Sequence, residues 1–493
     1  MPDMLHQPYW LTMGPLMVIA ISAFVVMILE FIFRNGDRRW LTYVSLLGVV
    51  VAFIPAIQHF ATQMTAGGSF MLNTVIADGL ANAFTLLILL TAFLVLLFTL
   101  DYSRHKNIAS EHTYLILFAV AGAITMATTY DLITLYVGLE LLSIASYILV
   151  AIRRNSRRGV EGAIKYLIMG SIGSAVLLYG MSFLYGISGT TNLLQLSQNM
   201  PTTIFTTYPA IVVLSFVLIL SGMGFKLSLV PFHMWTPDAY DGAPSPISAF
   251  LATLSKSAAF VMLLRILIFA FNGVASNVFY WAGILAAITM VVGNLIALPQ
   301  HNMKRLLAFS SVAQAGYVLV PFALLGAAQP TDWSALLSSV TFYLFAYTFM
   351  TVGAFAVVSV VSRERGSVSD EALVGLYKRS PWLATALTVF VLALSGMPLT
   401  AGFVGKVFIF TETMQLHSLW LGIILFGTSV ISFFYYLGWL RKIYHRDDEG
   451  VSSPKMVAGG VMGTLLGLCL IGTILLGVAP AALLHPLTWV TWP

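Results

Sequence analysis

Long, continuous apolar runs recur along the whole of this chain, and no other feature narrows its fold as far. A run of about 18 apolar residues crosses a hydrocarbon core of ~30 Å as a helix. Of the 493 residues, 59% are hydrophobic and only 9% are charged, whereas a soluble chain carries about 25% charged residues. In lipid the backbone must satisfy its own hydrogen bonds, which leaves helix bundles or closed barrels. Barrel strands alternate apolar and polar positions, and these runs do not. The expectation is an all-α polytopic membrane protein.

About fourteen spans can be drawn, over residues 8–33, 39–60, 74–100, 113–129, 131–151, 160–187, 207–231, 244–271, 277–298, 303–325, 333–361, 381–411, 417–440 and 457–484. The basic residues test this count, because cytoplasmic loops collect Lys and Arg. All but four of the 24 fall on one side. They are Arg34, Arg38 and Arg39, then Arg104 and Lys106, then Arg153, Arg154, Arg157, Arg158 and Lys165. Lys304 and Arg305 follow, then Arg363, Arg365, Lys378 and Arg379, and finally Arg441, Lys442, Arg446 and Lys455. The loops on the other side and both tails carry none. This alternation puts both termini outside the cytoplasm in a plasma or inner membrane. It also accounts for the net charge of +5 without nucleic acid. The opening MPDMLHQPYW lacks a basic region, so a cleaved signal peptide is not expected.

The four remaining cations, Lys226, Lys256, Arg265 and Lys406, lie within spans, as does one mid-span acid, Glu140. A charge at mid-bilayer costs roughly 2.5–3.5 kcal/mol on insertion scales, and such residues mark ion or proton pathways. Glu140 and Lys256 are central in their spans. Lys226 is nearer an end, where its stem can reach the interface. Arg265 approaches the outer end and reads as an interfacial anchor. Glu30, Asp78 and Asp101 sit near span ends, where a side chain reaching toward headgroups is at least as good a reading as function.

Two of the lysines sit beside helix-weakening residues. LSGMGFKLSLVPFHMW, from Leu220 to Trp235, has Gly222 and Gly224 before Lys226 and Pro231 after it. LSGMPLTAGFVGKVFIF places Gly396, Pro398, Gly402 and Gly405 near Lys406. Both lysines follow an SGM triplet, and matched interruptions in two halves point to a transporter's working site. The interrupted spans would be the seventh and the twelfth. A five-helix repeat crosses an odd number of times, so its second copy is inverted. The expected divisions are an N-terminal segment 1–112, a first repeat 113–271, an inverted second repeat 272–441 and a C-terminal helix within 442–493.

Three lysines and a carboxylate suit proton transfer better than cargo binding. Burial makes an ammonium release its proton more readily, and a nearby carboxylate opposes this. Such a pair titrates as a unit, so the expectation is a Glu140–Lys226 pair feeding a row of switchable sites. His233 reads equally as a proton-uptake residue or as a helix cap. The nine histidines lie in loops or near span ends, which argues against a mid-membrane haem pair. The single cysteine, Cys469, cannot form an internal disulfide or hold an iron–sulfur cluster. AGFVGKV lacks the leading glycine spacing and the Ser or Thr of a phosphate-binding loop. No nucleotide, metal or flavin motif is visible, so no cofactor is expected in this chain.

The segment GFKLSLVPFHMWTPDAYDGAPSPISAFLATLSKSAAF, from Gly224 to Phe260, closely resembles the signature of the antiporter-like membrane subunits of respiratory complex I. Its PFHMWTPDAYDGAPSP wording is similar to the subunit N branch of NADH–quinone oxidoreductase. EGAIKYLIMGSIGSAVLLYG, NMKRLLAFSSVAQAGY and LSGMPLTAGFVGKVFIF fit the same branch, and the resemblance covers essentially the whole chain. It implies fourteen helices with two inverted five-helix repeats, helices 7 and 12 interrupted. The proton-carrying roles then fall on Glu140, Lys226, Lys256 and Lys406. Lysine at the last position argues against subunit M, and the length against subunit L. The implied activity is that of a non-redox subunit of a translocase. NADH, FMN, iron–sulfur clusters and quinone would be held by other subunits. The implied partners are M- and L-type and small K- and J-type membrane subunits. A multisubunit cation/proton antiporter and a related membrane-bound hydrogenase share much of this pattern and are the alternatives. A passive membrane scaffold is the third reading, disfavoured by the cost of its buried charges.

Overall fold

A computed structural model describes residues 9–33, 38–62, 68–70, 74–106, 110–199, 207–271, 276–329, 332–445 and 459–488. The basic residues Arg34, Arg446 and Lys455 lie outside this described part, as do residues 1–8 of the N-terminal stretch. Helices dominate. Among the described residues, 12 are long and apolar enough to cross a membrane, and His112–Thr128 and Pro381–Ser395 are shorter apolar helices. Together they match the fourteen expected spans in order.

Three boundaries differ from expectation for a clear local reason. The third span starts at Gly79 rather than 74, because Val75–Ala77 pairs antiparallel with Gly68–Phe70. Asp78 then caps the helix, its carboxylate accepting from Ala81 N at 2.6 Å. The seventh span ends at Leu227, where Ser228 turns left-handed (φ 61°), and the chain re-enters helix at Thr236–Gly242. The twelfth is split into Pro381–Ser395 and Ala401–Gln415.

The glycines near the two lysines do different jobs. Gly222 does not break its helix. A Cβ there would lie 2.7 Å from Gly173 O, so it lets the helices Pro209–Leu227 and Arg157–Ser188 approach closely. Gly396 does break its helix, at φ 88°, a conformation that costs an L side chain roughly 1–2 kcal/mol. The two SGM triplets are therefore not equivalent in space. Lys226 ends the first half of its broken span, whereas Lys406 sits in the second half of its own.

A further interruption carries no glycine or proline signal. The eighth span is two helices, Ser245–Ala252 and Leu254–Ala270, meeting at Thr253. The Thr253 hydroxyl donates to Ala249 O at 2.7 Å, a local bond that competes with the helix ladder. This span is the centre of the molecule. Its most apolar window is 100% buried, and that of Met303–Leu324 is 94% buried, against 28% for the first span. The buried middle holds the lysines, and the peripheral helices shield it from lipid.

Candidate functional site: a row of buried charges

Glu140 lies on Leu132–Val150, with Ser143 one turn further along. The Lys226 ammonium, 3% exposed, donates to Ser143 Oγ at 2.9 Å and Tyr166 Oη at 3.0 Å. It makes no ion pair with Glu140. The Glu140 Oε1 atom is buried without a hydrogen-bond partner, although the two charges are near enough to influence each other. The expected pair is thus not in direct contact. Tyr166 is held by stacking on Trp235 (centroids 4.1 Å, 14° between planes), and Trp235 Nε1 donates to Phe225 O at 3.0 Å. That bond folds the connecting turn back onto the helix end that carries Lys226.

Lys256 follows the Thr253 interruption by three residues. Its ammonium donates to both the carbonyl and the hydroxyl of Ser311, each at 2.7 Å. Ser311 Oγ also lies 3.5 Å from Tyr240 Oη. Lys406 donates to Leu394 O at 3.3 Å and Ser395 O at 3.1 Å, with its ammonium 4.6 Å from the Tyr317 ring centroid. These carbonyls end the half-helix Pro381–Ser395, where the helix dipole is negative and favours a cation. Gly396 leaves room for this, since a Cβ there would sit 3.0 Å from Lys406 Cδ.

The central helix Met303–Leu324 links the last two lysines. Ser311 receives Lys256, and one turn on Gln314 Nε2 donates at 2.9 Å to Leu394 O, the carbonyl that Lys406 also uses. Tyr343 Oη donates to Gln314 Oε1. Toward Lys226, the Tyr166 phenol faces Ser146 and Ser255, the neighbour of Lys256. Ser143 and Tyr166 thus hold Lys226, Ser311 holds Lys256, and Gln314 shares the Leu394 carbonyl with Lys406.

The residues 129–432 match the family model described as NADH:quinone oxidoreductase/Mrp antiporter, TM. NADH-quinone oxidoreductase subunit N of Brevibacillus brevis is 38% identical over 94% of this chain and 91% of its own length. The subunit N of Geobacillus sp. strain WCH70 is 39% identical over 98% of each. This chain belongs to the subunit N family of NADH-quinone oxidoreductase. A chain of respiratory complex I from Thermus thermophilus superposes with a TM-score of 0.80 at 31% identity, covering 97% of this chain and all of that one. A chain of the Mrp complex from Dietzia shares the fold alone, with a TM-score of 0.85 at 19% identity and 98% of this chain covered.

Within this subunit N family member, several residues depart from their expected roles. Arg265 is no interfacial anchor. It is fully buried and forms a two-pronged pair with Asp78, Nη1 to Oδ2 at 3.0 Å and Nη2 to Oδ1 at 2.9 Å. Its Nε also donates to Ala127 O at 2.8 Å, and Tyr130 lies against the guanidinium. Asp78, 5% exposed, is correspondingly withdrawn from the headgroup region. Asp101 is buried as well, at 1% exposed. Desolvated charges of this kind persist when paired and hydrogen-bonded. His233 sits in the turn after the seventh span, 5% exposed, with Nδ1 unpartnered. Its side chain caps no helix. Its backbone carbonyl does accept from Thr236 N at 3.0 Å.

At the basic face, Asp238 receives Lys165 at 2.8 Å and Arg305 at 2.7 Å, joining the link after the seventh span to the sixth and tenth spans. Burial alone would raise its carboxyl, but Lys165 and Arg305 outweigh that and hold it below the usual range. A lowered carboxyl contributes stability above its unfolded value near ~4 and loses it as pH falls through the folded value. Asp238→Asn should therefore lower the unfolding midpoint at pH 7 by the equivalent of about 1 kcal/mol. The gap from wild type should close under acid conditions in a thermal melt of the detergent-solubilised complex. A gap that stays constant with pH would mean the pair contributes nothing through charge.

Proposed function

We propose that this chain carries protons across the cell membrane as subunit N of NADH–quinone oxidoreductase. It does so through a relay of Glu140, Lys226, Lys256 and Lys406. The observation that carries the reading is the Lys226 site, where the ammonium rests on neutral hydroxyls while Glu140 stands close by with an unpartnered oxygen. A charge change beside Glu140 would draw the two together or part them, and the lysine would take up or release a proton accordingly. Ser143 and Tyr166 hydroxyls both donate and accept, so they can pass that proton on. Water at the unpartnered buried hydroxyls of Ser257, Tyr347 and Thr351 would bridge the remaining steps toward Lys406.

The energy comes from electron transfer in other subunits. Those subunits hold the NADH site, FMN, iron–sulfur clusters and quinone, and this chain holds no redox group. Its neighbours are the M-, L-, K- and J-type membrane subunits, and both of its termini face away from the cytoplasm.

The test has two parts. Mass spectrometry of the gently solubilised complex, captured through this chain, should find iron–sulfur and quinone-site subunits in stoichiometric amounts. Finding other antiporter-type membrane subunits and no redox subunits would make the chain a gradient-driven exchanger instead. In reconstituted vesicles, Glu140→Ala and Lys226→Ala should each sharply reduce NADH-driven pumping in a complex that still assembles. A normal proton-to-electron ratio in either would remove that residue from the relay.

A further inference from the structure

On the basic face, a cavity of about 250 Å³ gathers side chains from five separate loops and helix ends. Lys106, Arg153, Arg158, Lys304 and Arg363 all line it. The carboxylates at hand are Asp241 in its wall, 3.8 Å from Arg158, and two partners of Arg363, Glu364 at 3.1 Å and Asp101 at 3.6 Å. Five basic side chains against three carboxylates leave a mutually repelling excess of positive charge around the cavity. An occupant of opposite charge removes that penalty. Two helix beginnings also open on the cavity, at Ser156 and Ser245. Their positive dipole ends favour an anion. The volume holds about eight waters at ~30 Å³ each, enough for a phosphate group with part of its hydration shell.

We infer that this cavity binds a phosphate group, supplied either by an anionic phospholipid or by a soluble phosphate compound. Lys304 already spends its ammonium on Asp241 O at 3.1 Å and Ala243 O, so the outer cations Lys106 and Arg158 make the adjustable contacts. The bound group ties together the loop ends at 105–106, 153–158, 241–245 and 363–368. One of these, 241–245, leads directly into the broken span of Lys256. This inference does not depend on the proton relay.

The test compares the purified wild-type complex with one carrying Lys106→Gln and Arg158→Gln, with Arg158→Lys as a charge-keeping control. In one arm, nanodiscs of phosphatidylcholine with added cardiolipin are disrupted and the lipid retained on the complex is counted by native mass spectrometry. In the other, inorganic phosphate is titrated into detergent-solubilised complex and the unfolding midpoint is followed. Each basic residue near an anionic group contributes roughly fivefold in affinity, so the double variant should bind about thirtyfold more weakly. Cardiolipin retained by wild type and control but lost from the double variant identifies a lipid headgroup. A phosphate-dependent rise in midpoint lost only from the double variant identifies a soluble phosphate. Equal behaviour of all three in both arms overturns the inference, as would happen if a neighbouring subunit's acidic side chain filled the cavity.

Discussion

Replacing Lys256 by methionine should stop proton movement while leaving the protein at least as stable as before. Lys256 is 2% exposed and its ammonium is held only by one serine. Holding a charge there costs roughly 2.5–3.5 kcal/mol on insertion scales. Exchanging a buried ion for an apolar side chain of similar volume is commonly neutral or stabilising. The left-over Ser311 hydroxyl retains Tyr240 within 3.5 Å. A proton-carrying lysine, by contrast, has no substitute in a thioether. Removing a positioned proton-transfer group costs a factor of about 100 or more. The informative measurement is therefore a pair: the unfolding midpoint of the complex, and protons moved per electron in sealed vesicles. A stable variant with normal stoichiometry would take Lys256 out of the path and favour a passive scaffold.

Arg265→Gln should do the reverse, damaging the fold more than the transport. Glutamine cannot make the two-pronged contact and leaves the Asp78 carboxylate buried and unpaired. Breaking a buried pair in this way costs about 3–5 kcal/mol. The loss should appear as a lowered unfolding midpoint and a smaller yield of assembled complex. The complex that does assemble should pump with normal stoichiometry. Arg265→Lys keeps the charge but not the fork geometry, so it should recover only part of the loss. If Arg265→Gln assembled normally yet failed to pump, the residue would belong to the proton path.

The spans were legible because length and apolar continuity are local properties, and the four relay candidates stood out as charges in apolar surroundings. What escaped the sequence is long-range or conformational. Asp78 and Arg265 are 187 positions apart, and nothing local distinguishes a cation that reaches the interface from one that finds a carboxylate in the core. Ser143, Tyr166, Ser311 and Gln314 are ordinary residues of membrane helices until the fold brings lysines to them. Thr253 breaks a helix in AFLATLSKSAAF without glycine or proline, and Gly222 joins two helices where a break was expected. That Lys226 bonds Ser143 and Tyr166 rather than Glu140 is likewise a tertiary contact, which residue order does not record. Lys226 and Lys406 already stood beside recognisable helix breakers, and the structure adds Lys256, which follows the Thr253 interruption.

The way Lys406 is held has a consequence for a row of charges in lipid. Its partners are the Leu394 and Ser395 carbonyls, the closing end of a half-helix, and those groups do not ionise. When an ammonium paired to a carboxylate gives up its proton, it strands an anion in the membrane. When one resting on peptide dipoles does so, only neutral groups remain. If Lys406 is the last station of the proposed relay, it would empty without leaving a charge behind to pull the proton back.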